Sequence, residues 1–108
     1  MSRLLIKPGV RIHGIRPEML VALQVAVGVF AEHGLACIVT SATEGRHGRN
    51  SLHYVGCAVD LRSRHLPSRE DVGLVATQLR SALGADFDVV VEPTHFHIEF
   101  QPETGVNR

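Results

Sequence analysis

DFDVVVEPTHFHIEF, residues 86–100, consists of two alternating runs joined by Pro93 and Thr94. In the second run Phe96, Ile98 and Phe100 occupy every other position, with His95, His97 and Glu99 between them. A strand over 95–100 therefore has one apolar side and one titratable side. Read as a β-hairpin with a two-residue connection, the stretch sets Glu92 opposite His95, on the same face as His97 and Glu99. Pro-Thr is not one of the favoured hairpin pairs, so the pattern of the runs rather than the turn chemistry carries this reading. Several ionisable groups on one partly buried surface are costly unless they are ligands, are paired, or line a wet cleft.

CAVDLR at 57–62 alternates in the same way, with Cys57, Val59 and Leu61 on one side and Ala58, Asp60 and Arg62 on the other. LACIVTS at 35–41 is short, β-branched and bounded by polar residues and glycine, which predicts another strand. Pro17 suits the first turn of a helix, and Glu18 suits its positive end. That helix is expected from Pro17 to His33, stopped by Gly34. It is apolar on nearly every side, which predicts burial on most faces. A second helix of about sixteen residues is expected from Pro67–Ser68 to near Gly84, with Val72, Val75, Ala76, Leu79 and Leu83 at helical spacing. Residues 1–16, punctuated by Pro8, Gly9 and Gly14, read as irregular. The order helix, strand, strand, helix, strand, strand predicts an α+β domain, a small antiparallel sheet with a buried helix and a second helix packed on it.

The 108 residues suffice for one domain over 1–108 with a single core. Lysine and arginine balance aspartate and glutamate at 11 each, and the pI is about 7.1. That balance argues against nucleic acid or an anionic membrane as partner. The basic runs GRHGR (45–49) and RSRHLPSR (62–69) read as solvated loops, with an anion contact near a site as the alternative. Cys37 and Cys57 have no C-x-x-C spacing and read as free thiols among apolar neighbours, although one disulfide between them stays open. The longest apolar run, Met19 to Ala31, is shorter than the roughly 20 residues that span a bilayer. The opening MSRLLIKPGVR offers no secretion-signal hydrophobic region, so synthesis in the cytoplasm is expected.

SLHYVGCAVD, residues 51–60, adds a second concentration of ionisable groups. His53 and Asp60 are an odd number of positions apart and would point to opposite faces of one unbroken strand. A turn at Tyr54–Gly56 lets them converge, and Ala58 leaves room beside Asp60. Two imidazoles and one carboxylate with an open fourth position are the ligand set of a catalytic zinc ion. His13, His33, His47 and His65 fall in expected loops or helix ends and read as surface histidines.

The combination S-x-H-x-x-G-x-A-x-D, here Ser51, His53, Gly56, Ala58 and Asp60, followed by E-x-x-H-x-H, resembles the zinc D-alanyl-D-alanine peptidases. This is the M15 group, related to the murein endopeptidases and the hedgehog fold and rich in small bacteriophage proteins. The resemblance covers about residues 38 to 100. It implies a hedgehog/D-Ala-D-Ala-peptidase-like fold and a Zn2+-dependent metallopeptidase that cleaves an amide of the peptidoglycan stem peptide. It makes His53 and Asp60 metal ligands. Two family patterns overlap at the third: the H-x-H pattern gives His97, with His95 beside the substrate, whereas E-x-x-H alone gives His95. The full H-x-H favours His97. Glu92 is then the general base, His95 stabilises the oxyanion or relays protons, and Arg46, with Arg49 nearby, is a candidate for holding a substrate carboxylate or carbonyl. Ser51 and Glu99 are read as supporting residues.

The resemblance further implies a phage or prophage lysis protein. It would be a monomer, cytoplasmic in the producing cell and acting on the wall after release. The alternative is a non-catalytic zinc module of the same fold, such as a virion component. The presence of Glu92 separates the two, because a module that only binds needs no base.

Overall fold

The computed structural model describes residues 2–44 and 56–102. The alternation in 86–100 is realised as β4 (Phe87–Val91) and β5 (His95–Phe100), paired antiparallel with Val91 opposite Phe96 and Val89 opposite Ile98. β3 (Ala58–Arg62) lies antiparallel along the other side of β5, with Asp60 opposite His97 and Arg62 opposite His95. β2 (Cys37–Ser41) continues the sheet beyond β3, and β1 (Leu4–Ile6) forms its edge, giving the order β1-β2-β3-β5-β4.

The protein is thus α+β, but its sheet is mixed, not antiparallel as expected. Leu4–Ile6 pairs parallel with Cys37–Val39 in a stretch that read as irregular. Parallel neighbours need a long crossover, and α1 (Pro17–Glu32) supplies it between β1 and β2. The strand has only three residues, each about 41% exposed, so neither length nor alternation marks it in the sequence.

α1 begins with Pro17 at its first position, and Gly34 at φ 72° ends it, its N–H donating to the Ala31 carbonyl at 2.9 Å. Met19, Ala22, Leu23, Ala26, Val29 and Phe30 face the core. The expectation of burial on most sides is corrected here. Leu20 (52%) and Val21 (58%) are exposed and, with Gln24 and Gly28, form an outer stripe. α2 (Arg69–Leu83) starts one residue after Ser68, whose hydroxyl accepts the Asp71 N–H at 3.1 Å, and ends at Gly84. The Arg80 guanidinium donates to the Val89 carbonyl at 2.9 Å and ties α2 to β4.

Both helices pack on the sheet face that carries Val39, Val59, Leu61, Val89, Phe96 and Ile98. Phe30 meets Phe96 edge-on, with ring centroids 6.1 Å apart. Its other neighbour corrects a second expectation. His65 is no surface histidine: its ring stacks on Phe30 at 5.5 Å, and its Nε2 lies 2.8 Å from the Ala36 carbonyl. His33 is likewise engaged, its Nε2 2.7 Å from Gln78 Oε1. Cys37 and Cys57 form no disulfide, and burial pushes the Cys37 thiol up to about 12. The helix layer on one face leaves the opposite face of β3 and β5 to Asp60, His95, His97 and Glu99.

Candidate functional site

Asp60 reaches this face because Gly56 sets the entry into β3. Gly56 has φ 75°, a conformation that L side chains rarely adopt, and a Cβ there would run into the Gly14 carbonyl, whose carbon would stand 3.1 Å away. The close approach is used: the Gly56 carbonyl accepts the Arg16 N–H at 3.0 Å, docking the start of β3 against the entry of α1. The glycine of the 51–60 stretch is therefore dictated by the backbone.

The β3–β5 register then assembles the titratable groups. His97 Nδ1 lies 2.8 Å from Asp60 Oδ1, and His97 Nε2 lies 2.8 Å from Glu99 Oε1. Glu99 also accepts from Gln101 Nε2. His95 Nε2 stands 3.6 Å from the other Asp60 oxygen, Oδ2, and its Nδ1 is 3.1 Å from the Thr94 hydroxyl. Side-chain exposures run from 15% for Asp60 to 29% for His95, so these groups face each other in a partly dried environment. The hydrogen bond to Asp60 raises the His97 imidazole to about 9; partial burial opposes that rise and Glu99 adds to it. His97 thus lies between two carboxylates that favour its protonated form.

The two imidazoles consequently differ in what they can do for a metal. A ligand histidine must present a neutral nitrogen lone pair to the ion, and both His97 nitrogens face carboxylates. At 3.6 Å the His95–Asp60 separation is too long for a hydrogen bond. It is close to the roughly 3.3 Å between two donors that share one tetrahedral ion at bonds of about 2.0 Å.

Glu92 lies opposite His95 in the backbone pairing, as the hairpin reading expects, but the cleft it borders is lined from α2 and not by Asp60, His95 or His97. Its N–H donates to the His95 carbonyl at 2.9 Å across the Pro93–Thr94 connection. It borders a cleft of about 540 Å3 with Ser63, Arg69, Val72 and Gly73, and its carboxylate makes no hydrogen bond or ion pair among the described residues. His53, Arg46, Arg49 and Ser51 lie outside the described residues. Among the described residues no three histidine, cysteine, aspartate or glutamate side chains form a set that could hold a metal ion. Sequence reasoning overlooked Lys7, which joins Arg62 and Arg64 around a small cleft beside Asp60. The RSRHLPSR run signalled the two arginines, but nothing in the sequence ties Lys7 to them.

The sequence matches no model of a known protein family, and no curated protein matches it.

Proposed function

We propose that this chain is a zinc-dependent peptidase of the hedgehog/D-Ala-D-Ala-peptidase type that hydrolyses an amide of the peptidoglycan stem peptide. The observation that carries the reading is the convergence of the Asp60 carboxylate with the imidazoles of His95 and His97 on the sheet face away from the helices. Asp60, the last residue of the S-x-H-x-x-G-x-A-x-D motif, meets the two histidines of E-x-x-H-x-H there, although 37 positions separate Asp60 from His97.

In this reading His53, Asp60 and one β5 histidine hold the ion. The H-x-H pattern puts His97 first, but the ring contacts favour His95, whose Nε2 faces Asp60 without being bonded to it. His97 then acts from behind, gripping Asp60 and being gripped by Glu99, as partners of metal-ligating carboxylates and histidines do. A bound Zn2+ supplies a Lewis acid that polarises a carbonyl and brings the pKa of water down to about 7. Glu92, next to His95 at the hairpin tip, takes the proton of the attacking water and returns one to the leaving amine. Arg46 is the candidate holder of a substrate carbonyl or carboxylate. A lysis protein released onto the wall at the end of a phage cycle is the biological setting that this chemistry suits.

The test is metal analysis together with digestion of purified peptidoglycan, with the released fragments read by mass spectrometry. We expect about one zinc per chain and new amino termini at a single type of bond. Glu92→Gln should keep the zinc and lose about 100- to 10,000-fold in rate. Bound zinc with the wall left intact by the wild type would sink the enzyme reading in favour of a zinc-containing binding module. Absence of zinc, with a melting temperature indifferent to chelator, would sink both.

A further inference from the structure

The cleft of about 230 Å3 beside Asp60 is lined by Lys7, Thr40, Ser41, Arg62, Arg64 and Thr94. Three cations thus meet one carboxylate there, and that carboxylate is already held by His97 at 2.8 Å. Neither Lys7, Arg62 nor Arg64 has a side-chain hydrogen bond or ion pair among the described residues. The Arg62 Nε is withdrawn from solvent and has no acceptor, an unusual state for so strong a donor. Glu44, three positions from Ser41, is engaged elsewhere, taking the Ser41 hydroxyl and the Ala42 and Arg11 N–H groups.

The cations are held by backbone drawn from distant parts of the chain. The Lys7 N–H donates to the Val39 carbonyl at 2.9 Å, continuing the β1–β2 pairing. Arg62 closes β3, and Arg64 follows Ser63, whose N–H donates to the Thr94 carbonyl at 3.1 Å. Like charges gathered from two distant segments, one of them with a buried unpaired N–H, form a receptor for an anion. Guanidinium groups match a carboxylate best, through two parallel N–H···O bonds. The volume is below the roughly 300–1,000 Å3 of pockets that enclose whole small ligands, so the cleft fits one group of a larger molecule.

We propose that this cleft binds a substrate carboxylate carried by the residue next to the scissile amide, with Lys7, Arg62 and Arg64 as specificity-determining residues. The identity of the substrate rests on the peptidase reading; the anion site does not. Within a stem peptide, such a carboxylate is either the chain terminus or the α-carboxylate of a γ-linked glutamate.

The experiment titrates the full chain, zinc-loaded and chelated, with N-acetyl-D-alanine against its carboxamide, and with L-alanyl-D-glutamate against its α-amide. Arginine side-chain N–H signals are followed by NMR. In at least one pair the acid should bind at least about tenfold tighter than the amide, which is about 1.4 kcal/mol, and should shift the Arg62 Nε–H signal in both metal states. The pair with the larger ratio identifies the carboxylate. Arg62→Gln should bring the ratio near one. The double variant Lys7→Gln with Arg64→Gln, both at exposed positions, should do so too and decides the matter if Arg62→Gln fails to fold. Equal binding of acid and amide, no binding of either, preference unchanged in the variants, or preference that vanishes on chelation would each overturn the inference. Discrimination without hydrolysis would remove the peptidase reading alone, and hydrolysis without discrimination would remove the carboxylate site alone.

Discussion

The two faces of β5 are built from alternate residues of the same six, yet they obey different physics. Phe96 and Ile98 are wholly buried, and a packed core would accept other apolar side chains of similar volume in their places. His95, His97 and Glu99 are partly buried ionisable groups that hydrophobic burial does not stabilise. Their arrangement rests on mutual charge and hydrogen bonding, which few other side chains could reproduce. A strand can therefore be shaped by the folding requirement on one side and by a chemical one on the other, and substitutions should separate the two.

The largest expected effect is on the core face. Phe96→Ala removes a fully buried ring in edge contact with Phe30 and should cost about 3–5 kcal/mol in denaturant unfolding. A loss below about 1 kcal/mol would show that the two faces are not so different. On the titratable face, His95→Ala should abolish stoichiometric zinc binding. His97→Ala should keep the metal with affinity weaker by about 10- to 100-fold, the usual consequence of deleting a ligand's supporting partner. Titration with a zinc-competing chromophore checks both, and the reverse order would restore His97 as the ligand. The smallest effect belongs to the β2 end. Partial burial pushes the Glu44 carboxyl up, but the Ala42 N–H, the Ser41 hydroxyl and the Arg11 N–H outweigh it and hold the group below 4.5. A lowered carboxyl stabilises the fold above its unfolded pKa, and the contribution disappears as pH falls through the folded value. Glu44→Gln should therefore be slightly less stable than wild type at pH 7, with the gap closing below pH 4.5, as read by thermal melts across pH.

Much of this contrast was legible in the sequence, because alternation is a local property. The limits of β5, the opposition of Glu92 and His95 and the shared face of His95, His97 and Glu99 all follow from a period of two and a two-residue connection. What was not legible depends on distant partners. β1 is three residues long and is defined only by Cys37–Val39 lying beside it. The convergence of Lys7 with Arg62 and Arg64 depends on that pairing. His65 looked like a loop histidine because nothing near it in the chain announces Phe30. The choice between His95 and His97 turns on which oxygen of Asp60 each ring meets, a matter of ångströms that spacing does not encode.

The pairing of β3 with β5 has a consequence for how the protein matures. The isolated β4–β5 hairpin carries Glu92, His95 and His97 but lacks the carboxylate of Asp60, which α2 separates from it along the chain. Closing that long loop comes late relative to local hairpin formation. On the zinc-peptidase reading, a half-made chain emerging from the ribosome would offer metal no complete seat. Ion uptake would then report that the last long-range strand has docked, and the cell that makes the protein would meet no cutting edge before folding is finished.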